Sequence, residues 1–212
     1  MWTLPNILTV ARIVLAPVVA LLPFITGSAP KIIAFFIFLV AAIGDAVDGY
    51  LARSRNQVTD FGKLLDPLAD KLLLIAALVP IFWLTRHPTL VTDYKIPWWG
   101  SLPVWVALLL VGREVAMTAF RQYAKRRGVV IAAMGPGKVK AVFQNIFIAA
   151  TILWFAWKDL IVETRLAGAY RDLWSQFHGT FVSVTLAVAV VLTAYSLVVY
   201  LYRYRDLLKA SR

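Results

Sequence analysis

Four aspartates occupy an otherwise apolar stretch of this chain. Asp45 and Asp48 lie three residues apart, Asp66 and Asp70 four apart. On helices, each pair shares a face. The two apolar runs that carry them are joined by a short loop centred near residue 57, and the pairs lie almost symmetrically about that centre. A helical hairpin is therefore expected to gather all four carboxylates about one to two turns below one surface of the protein. Unpaired, they would repel one another and lose hydration at a cost of roughly several kcal/mol each. Divalent cations remove both penalties, and an all-oxygen donor set suits two Mg²⁺ or Mn²⁺ ions rather than Zn²⁺. Two such ions can clamp a pyrophosphate and stabilise charge on entering and leaving oxygens. The alternative is a structural charge network with Arg53 and Lys63.

The elements that position these residues follow from composition. Of 212 residues, 61% are hydrophobic and 16% charged, against about 45–50% and about 25% in soluble domains. Each membrane span needs about 20 mostly apolar residues. The chain thus accommodates about six spans in a single domain, 1–212, with no room for a soluble domain of ordinary size. The apolar runs predict an all-α polytopic membrane protein with helices near 4–26, 31–54, 61–86, 98–126, 137–158 and 178–205. Breakers such as Gly27-Ser28-Ala29-Pro30 and Gly135-Pro136-Gly137 separate several of them. The first run lacks a basic leader and contains Arg12, so it is expected to be retained rather than cleaved.

Cysteine is absent, which excludes disulfides and thiol chemistry, and His87 and His178 fall in polar connecting stretches, against a histidine triad or metal cluster. The net charge of +11 is read as loop charge and lipid or phosphate contact, not as a nucleic-acid signal. Thirteen basic residues, Arg53, Arg55, Lys63, Arg121, Lys125, Arg126, Arg127, Lys138, Lys140, Arg203, Arg205, Lys209 and Arg212, sort to one side. Six sort to the other: Lys31, Arg86, Lys95, Lys158, Arg165 and Arg171. The positive-inside rule places the richer side, and both termini, in the cytoplasm. Trp83, Trp98, Trp99, Trp154 and Trp157 collect at the opposite ends, as an interfacial belt does.

Gly49, Ala52 and Gly62 leave space beside the carboxylates for a nucleotide to approach; helix packing is the other use of small residues in membranes. Asp45, Asp48, Gly49, Ala52, Arg53, Gly62, Asp66 and Asp70 together occupy every fixed position of a signature. That signature resembles the one of the CDP-alcohol phosphatidyltransferases. The resemblance implies six transmembrane helices, a frequent homodimer and a site open to the cytoplasm. It further implies metal binding by Asp45, Asp48, Asp66 and Asp70, with Asp70 also acting as general base. Contact between the CDP-diacylglycerol headgroup and Gly49, Arg53 and Thr59 is likewise implied. The acceptor alkoxide would attack the β-phosphorus and CMP would depart.

The acceptor must be read from the rest of the chain. Pro5-Asn6-Ile7-Leu8-Thr9-Val10-Ala11-Arg12, Arg113-Glu114, Arg121 and Gly137-Lys138-Val139-Lys140 resemble the family's bacterial phosphatidylglycerophosphate synthase branch, which implies sn-glycerol 3-phosphate. Ala141 departs from the threonine often found there. A phosphorylated acceptor is a dianion that needs cations: Arg113 and Arg121 lie two turns apart on one helix, and Lys138 and Lys140 open the next. For Arg113 the alternative is an ion pair with Glu114 or with a neighbouring helix. Asn6, Thr9 and Arg12 repeat at helical spacing as a polar stripe, directed at the site or at packing. Inositol phosphate would use the same cations, and a cardiolipin synthase of the family would draw phosphatidylglycerol from the bilayer. A cation transporter is the reading from another class, but it predicts acidic residues spread over several helices.

Overall fold

The computed structural model describes residues 4–54, 60–87, 92–128 and 135–204, and the side chains within them apart from those of 4–5, 45–54, 60–64, 66 and 135–136. Arg55, Thr59, Arg205, Lys209 and Arg212 lie outside the described residues. Among the described residues six α-helices run in order: α1 (Leu4–Leu21), α2 (Ser28–Ser54), α3 (Asp60–Leu84), α4 (Val104–Arg126), α5 (Gly135–Thr164) and α6 (Ala169–Arg203), with a 3₁₀ turn, Leu22–Phe24, after α1. α1 packs on both α2 and α3, α5 packs on α2 and α6, and α4 lies against α3 and α6.

Helix interiors meet through one apolar cluster to which every helix contributes, including Val19, Phe38, Ala77, Ile81, Leu110, Phe147, Ile152 and Leu186. Buried alanines at 16, 34, 41, 69, 77, 124, 150, 156 and 189 let the backbones approach closely, the usual basis of packing where lipid removes the hydrophobic drive between helices. Large apolar side chains such as Val14, Val40, Leu108, Val191 and Val198 point outward. The protein is thus a polytopic membrane protein. Among the described residues four helices are long and apolar enough to cross a bilayer, the segments being Asn6–Phe24, Pro67–Leu84, Gly137–Thr164 and Ala169–Arg203. The described apolar part of α2, Ser28–Gly44, is shorter. In α4, Arg113, Glu114, Arg121, Lys125 and Arg126 dilute an apolar face that still packs inward through Val106, Leu110 and Met117.

Several boundaries differ from the sequence expectation. α4 starts at Val104 rather than near 98, because Pro103 is extended (φ −61°, ψ 141°) at its N-cap. The residues before it form a packed loop: Tyr94, Ile96 and Leu102 are buried, and Ile96 pairs with Gly100 across a tight turn. α5 continues to Thr164, beyond the expected 158. α6 starts at Ala169, so His178 belongs to a helix and not to a connecting stretch. The segment 169–177 looks polar because of Arg171, Asp172, Ser175 and Gln176, yet Tyr170, Leu173, Trp174 and Phe177 recur at helical spacing. His178 is buried, with Nε2 3.0 Å from the Ala150 carbonyl. The tryptophan belt also divides: Trp83 and Trp98 are exposed, whereas Trp154 is core and its indole donates to the Lys95 carbonyl at 3.2 Å.

One end of the bundle is closed by a buried polar cluster. Lys31 Nζ on α2 sits 2.6 Å from Asp159 Oδ2 on α5, with both side chains almost wholly buried. The ammonium also donates to the Ile25 carbonyl at 2.9 Å, and the Tyr94 hydroxyl donates to Asp159 Oδ1 at 2.6 Å. Burial, and then the bond to Asp159, push the Tyr94 hydroxyl above its usual range, so it stays a donor at neutral pH. Gly27, at φ 101°, turns the chain beside Glu163, which accepts from the Ser28 amide at 2.7 Å. Lys31→Met strands the Asp159 charge and is expected to cost about 3–5 kcal/mol, seen as a lower unfolding midpoint in detergent. Adding Asp159→Leu should restore most of it; a single variant as stable as the parent would show the pair to be dispensable.

Candidate active site

The opposite end holds the groups singled out from the sequence. On α1, Asn6, Thr9 and Arg12 are all at most 3% exposed, so the polar stripe faces the bundle interior. Arg12 reaches α3, where its Nη1 donates to Asp70 Oδ1 at 2.8 Å. The Asp70 carboxylate is 52% exposed and opens on a cleft of about 120 Å³. Phe38 and Ala42 of α2, Lys71, Leu73 and Leu74 of α3, Glu114 of α4, and Lys140, Ala141, Gln144 and Asn145 of α5 complete its walls. Asp45, Asp48, Gly49, Ala52 and Arg53 fall in the last three turns of α2, and Gly62 and Asp66 in the first two turns of α3. Their side chains, and Thr59 altogether, lie outside the described residues.

Across the cleft, one carboxylate holds two cations from different helices. Glu114 Oε1 accepts from Arg113 Nη1 at 2.8 Å and from Lys140 Nζ at 2.5 Å. The two cationic side chains are 5% and 3% exposed. The ion pair weighed against a binding role for Arg113 therefore exists, but it uses a single guanidinium nitrogen. Nε and Nη2 of Arg113 are buried without a hydrogen-bond partner. Nη2 would lie 3.3 Å from a Cβ on residue 137, so glycine there leaves the guanidinium its place. The Arg113 guanidinium also lies 5.7 Å from the ring centre of Tyr200 on α6, whose hydroxyl accepts from Arg121 Nη2 at 3.5 Å.

Arg113, Arg121 and Lys140 are thus brought together, directly or through Glu114 and Tyr200. Lys138 is exposed and is not drawn in, since residues two apart on a helix point about 200° away from each other. Sequence reasoning treated Glu114 only as a possible partner of Arg113 and passed over Gln144, Asn145 and Tyr200. The i, i+4 pair Lys140 and Gln144 was a readable signal in an otherwise apolar run, whereas nothing marked Tyr200.

Chemically, a buried guanidinium with unused donors beside an ammonium suits phosphate oxygens. The four aspartates expected to act together would offer only carboxylate oxygens, and the one whose side chain is described, Asp70, presents a half-exposed carboxylate to the cleft. That set fits a hard divalent ion. Among the described residues, no three histidine, aspartate or glutamate side chains gather.

Fold and site together define a helical membrane protein with an anion-ready, acid-lined cleft at one end of the bundle. The CDP-alcohol phosphatidyltransferase family model matches residues 2–206, and the chain belongs to that family of phospholipid-synthesising transferases. Among its relatives, the CDP-diacylglycerol–glycerol-3-phosphate 3-phosphatidyltransferase of Escherichia coli K12 is 33% identical over 94% of this chain and 93% of its own length. The protein of the same name from Salmonella choleraesuis is 32% identical over the same shares. A probable phosphatidylglycerophosphate synthase of Mycobacterium tuberculosis is 39% identical over 71% of this chain and 66% of its own length.

Glu114→Gln removes the counter-charge of two buried cations. It is expected to lower stability by about 3–5 kcal/mol, read as the unfolding midpoint in detergent. Glu114→Asp should fall between the two, and a neutral effect of the glutamine would show that Arg113 and Lys140 find other partners.

Proposed function

We propose that the protein transfers a phosphatidyl group from CDP-diacylglycerol to sn-glycerol 3-phosphate, giving phosphatidylglycerophosphate and CMP. The observation that carries this reading is the shared cleft: Asp70 lines it with Lys140, and Arg113, tied to Lys140 through Glu114, has buried donors to spare. The two enteric relatives matched along nearly the whole chain carry names for this reaction.

In this reading, Asp45, Asp48, Asp66 and Asp70 hold two divalent ions, Mg²⁺ or Mn²⁺. When bound, the ions neutralise the pyrophosphate and the charge that builds on entering and leaving oxygens. Gly49, Ala52 and Gly62 give the nucleotide room, and Arg53 and Thr59 meet the CDP-diacylglycerol headgroup. Arg113, Lys140 and Arg121 receive the acceptor phosphate, with Lys138 at the rim. Asp70, oriented by Arg12, takes the proton from the acceptor hydroxyl. That oxygen bonds to the β-phosphorus as the bond to the CMP oxygen breaks. Binding the phosphate several ångströms from the reacting hydroxyl fixes which end of the acceptor meets Asp70.

The same reading places the protein in the cell (inner) membrane with its cleft facing the cytoplasm and both termini there, and takes two copies as the working assembly. The orientation is supported by charge: Arg121, Lys125, Arg126 and Lys140 belong to the helix ends around the cleft, the side richer in basic residues.

Purified protein supplied with CDP-diacylglycerol and Mg²⁺ should release CMP with sn-glycerol 3-phosphate and not with serine. CMP release with inositol phosphate instead would reassign the acceptor, and release with phosphatidylglycerol would indicate cardiolipin synthesis. Asp70→Asn is expected to abolish transfer while sparing most CDP-diacylglycerol binding; full activity would remove it as the base. Arg113→Ala should raise the acceptor KM about tenfold or more, the scale of a charge-assisted hydrogen bond, with a much smaller change for the lipid. Equal changes for the two substrates would remove Arg113 from the acceptor subsite.

A further inference from the structure

Gln144 projects from α5 one turn beyond Lys140 and lines the same cleft as Asp70. It is 4% exposed, and its Oε1 has no hydrogen-bond partner. An amide oxygen stranded in a membrane interior is costly unless something donates to it. The groups around the cleft do not: Lys140 is committed to Glu114, Lys71 and Asn145 line the same cleft without donating to this oxygen, and the remaining walls include Phe38, Ala42, Leu73, Leu74 and Ala141. The unused acceptor thus belongs to a side chain that shares its cleft with the carboxylate assigned to deprotonation and with Lys140, one of the cations assigned to the phosphate.

Resting on the proposed function, we infer that Gln144 is a specificity-determining residue that accepts a hydrogen bond from a second, non-reacting hydroxyl of the acceptor. A three-carbon phospho-alcohol held by its phosphate at Arg113 and Lys140, with its terminal hydroxyl at Asp70, carries its middle carbon between them. A hydroxyl on that carbon is the group within reach of an α5 side chain one turn on from Lys140. Substrates lacking it leave Oε1 unsatisfied, and this is how a buried polar site rejects a near-isostere. The substrate class so defined is a phosphorylated polyol with a hydroxyl next to the reacting one. A simple phosphorylated alkanol falls outside it.

The test compares sn-glycerol 3-phosphate with 3-hydroxypropyl phosphate, which has the reacting hydroxyl and the phosphate but no middle hydroxyl. Wild-type protein, Gln144→Met and Gln144→Asn are assayed with CDP-diacylglycerol and Mg²⁺ by CMP release. Methionine keeps the length and bulk of glutamine without its acceptor. Asparagine keeps the polarity but withdraws it by one methylene, so it serves if methionine fails to fold. The wild type is expected to prefer sn-glycerol 3-phosphate by about tenfold in kcat/KM, and each variant to lose most of that preference through a higher KM for sn-glycerol 3-phosphate. With 3-hydroxypropyl phosphate the variants should stay within about twofold of the wild type, because the bond at issue is never made. The scale is that of one hydrogen bond to a buried neutral group. Equal losses with both acceptors, or an undiminished preference in the variants, overturn the inference and leave the proposed function standing. Failure of the wild type to use either acceptor overturns the proposed function, and the inference with it.

Discussion

The near end of the bundle depends on one carboxylate. Without Glu114, Arg113 and Lys140 would be two like charges buried in a low-dielectric interior, and each would turn toward solvent or force the helices apart. With it, α4 and α5 are joined across the cleft at 2.8 and 2.5 Å. Two cations on one anion leave a unit of positive charge in the wall, and two guanidinium nitrogens remain unused. A membrane protein rarely retains such a deficit without a ligand to meet it. Packing, electrostatics and function thus converge on the same few atoms.

The two ends of the molecule satisfy their buried charge differently. At the far end, Lys31 sits against Asp159 and two carbonyls, and Tyr94 covers the other carboxylate oxygen. That arrangement closes α2, α5 and the loop before α4 upon one another. At the near end, Arg12 meets Asp70 with the carboxylate still half exposed, and Gln144 lines the cleft with its buried amide oxygen unpartnered. Closed polarity at one end gives a fixed frame; open polarity at the other leaves atoms for substrates.

Much of this was legible in the residues. Long apolar runs set six helices, and the spacing of Asn6, Thr9 and Arg12 foretold an inward stripe because an α-helix repeats every 3.6 residues. What escaped were features set by neighbours far along the chain. His178 read as loop because the polar face of 169–177 hid an amphipathic helix. Trp154 read as interfacial because its type is common there, yet Lys95, 59 residues away, supplies its hydrogen bond inside the core. Lys138 and Lys140 read as one pair, but helix rotation sends one inward and the other out. Tyr200 carries no local signal; its place beside Arg113 follows only from how α6 packs on α4.

The length of α6 has a consequence of its own. Its 35 residues make a rod of about 52 Å at 1.5 Å per residue, while the hydrocarbon layer is about 30 Å deep. The surplus includes the first two turns, where Tyr170, Leu173, Trp174 and Phe177 face outward beside the Arg171–Asp172 pair. Aromatic and mixed-charge surface of this kind is at home either in headgroups or against acyl chains. A thicker membrane can rise along these turns and a thinner one can recede from them, so hydrophobic mismatch is absorbed at the far rim. The cleft, at the other end of the bundle, keeps its own depth while the bilayer around the far rim swells or thins.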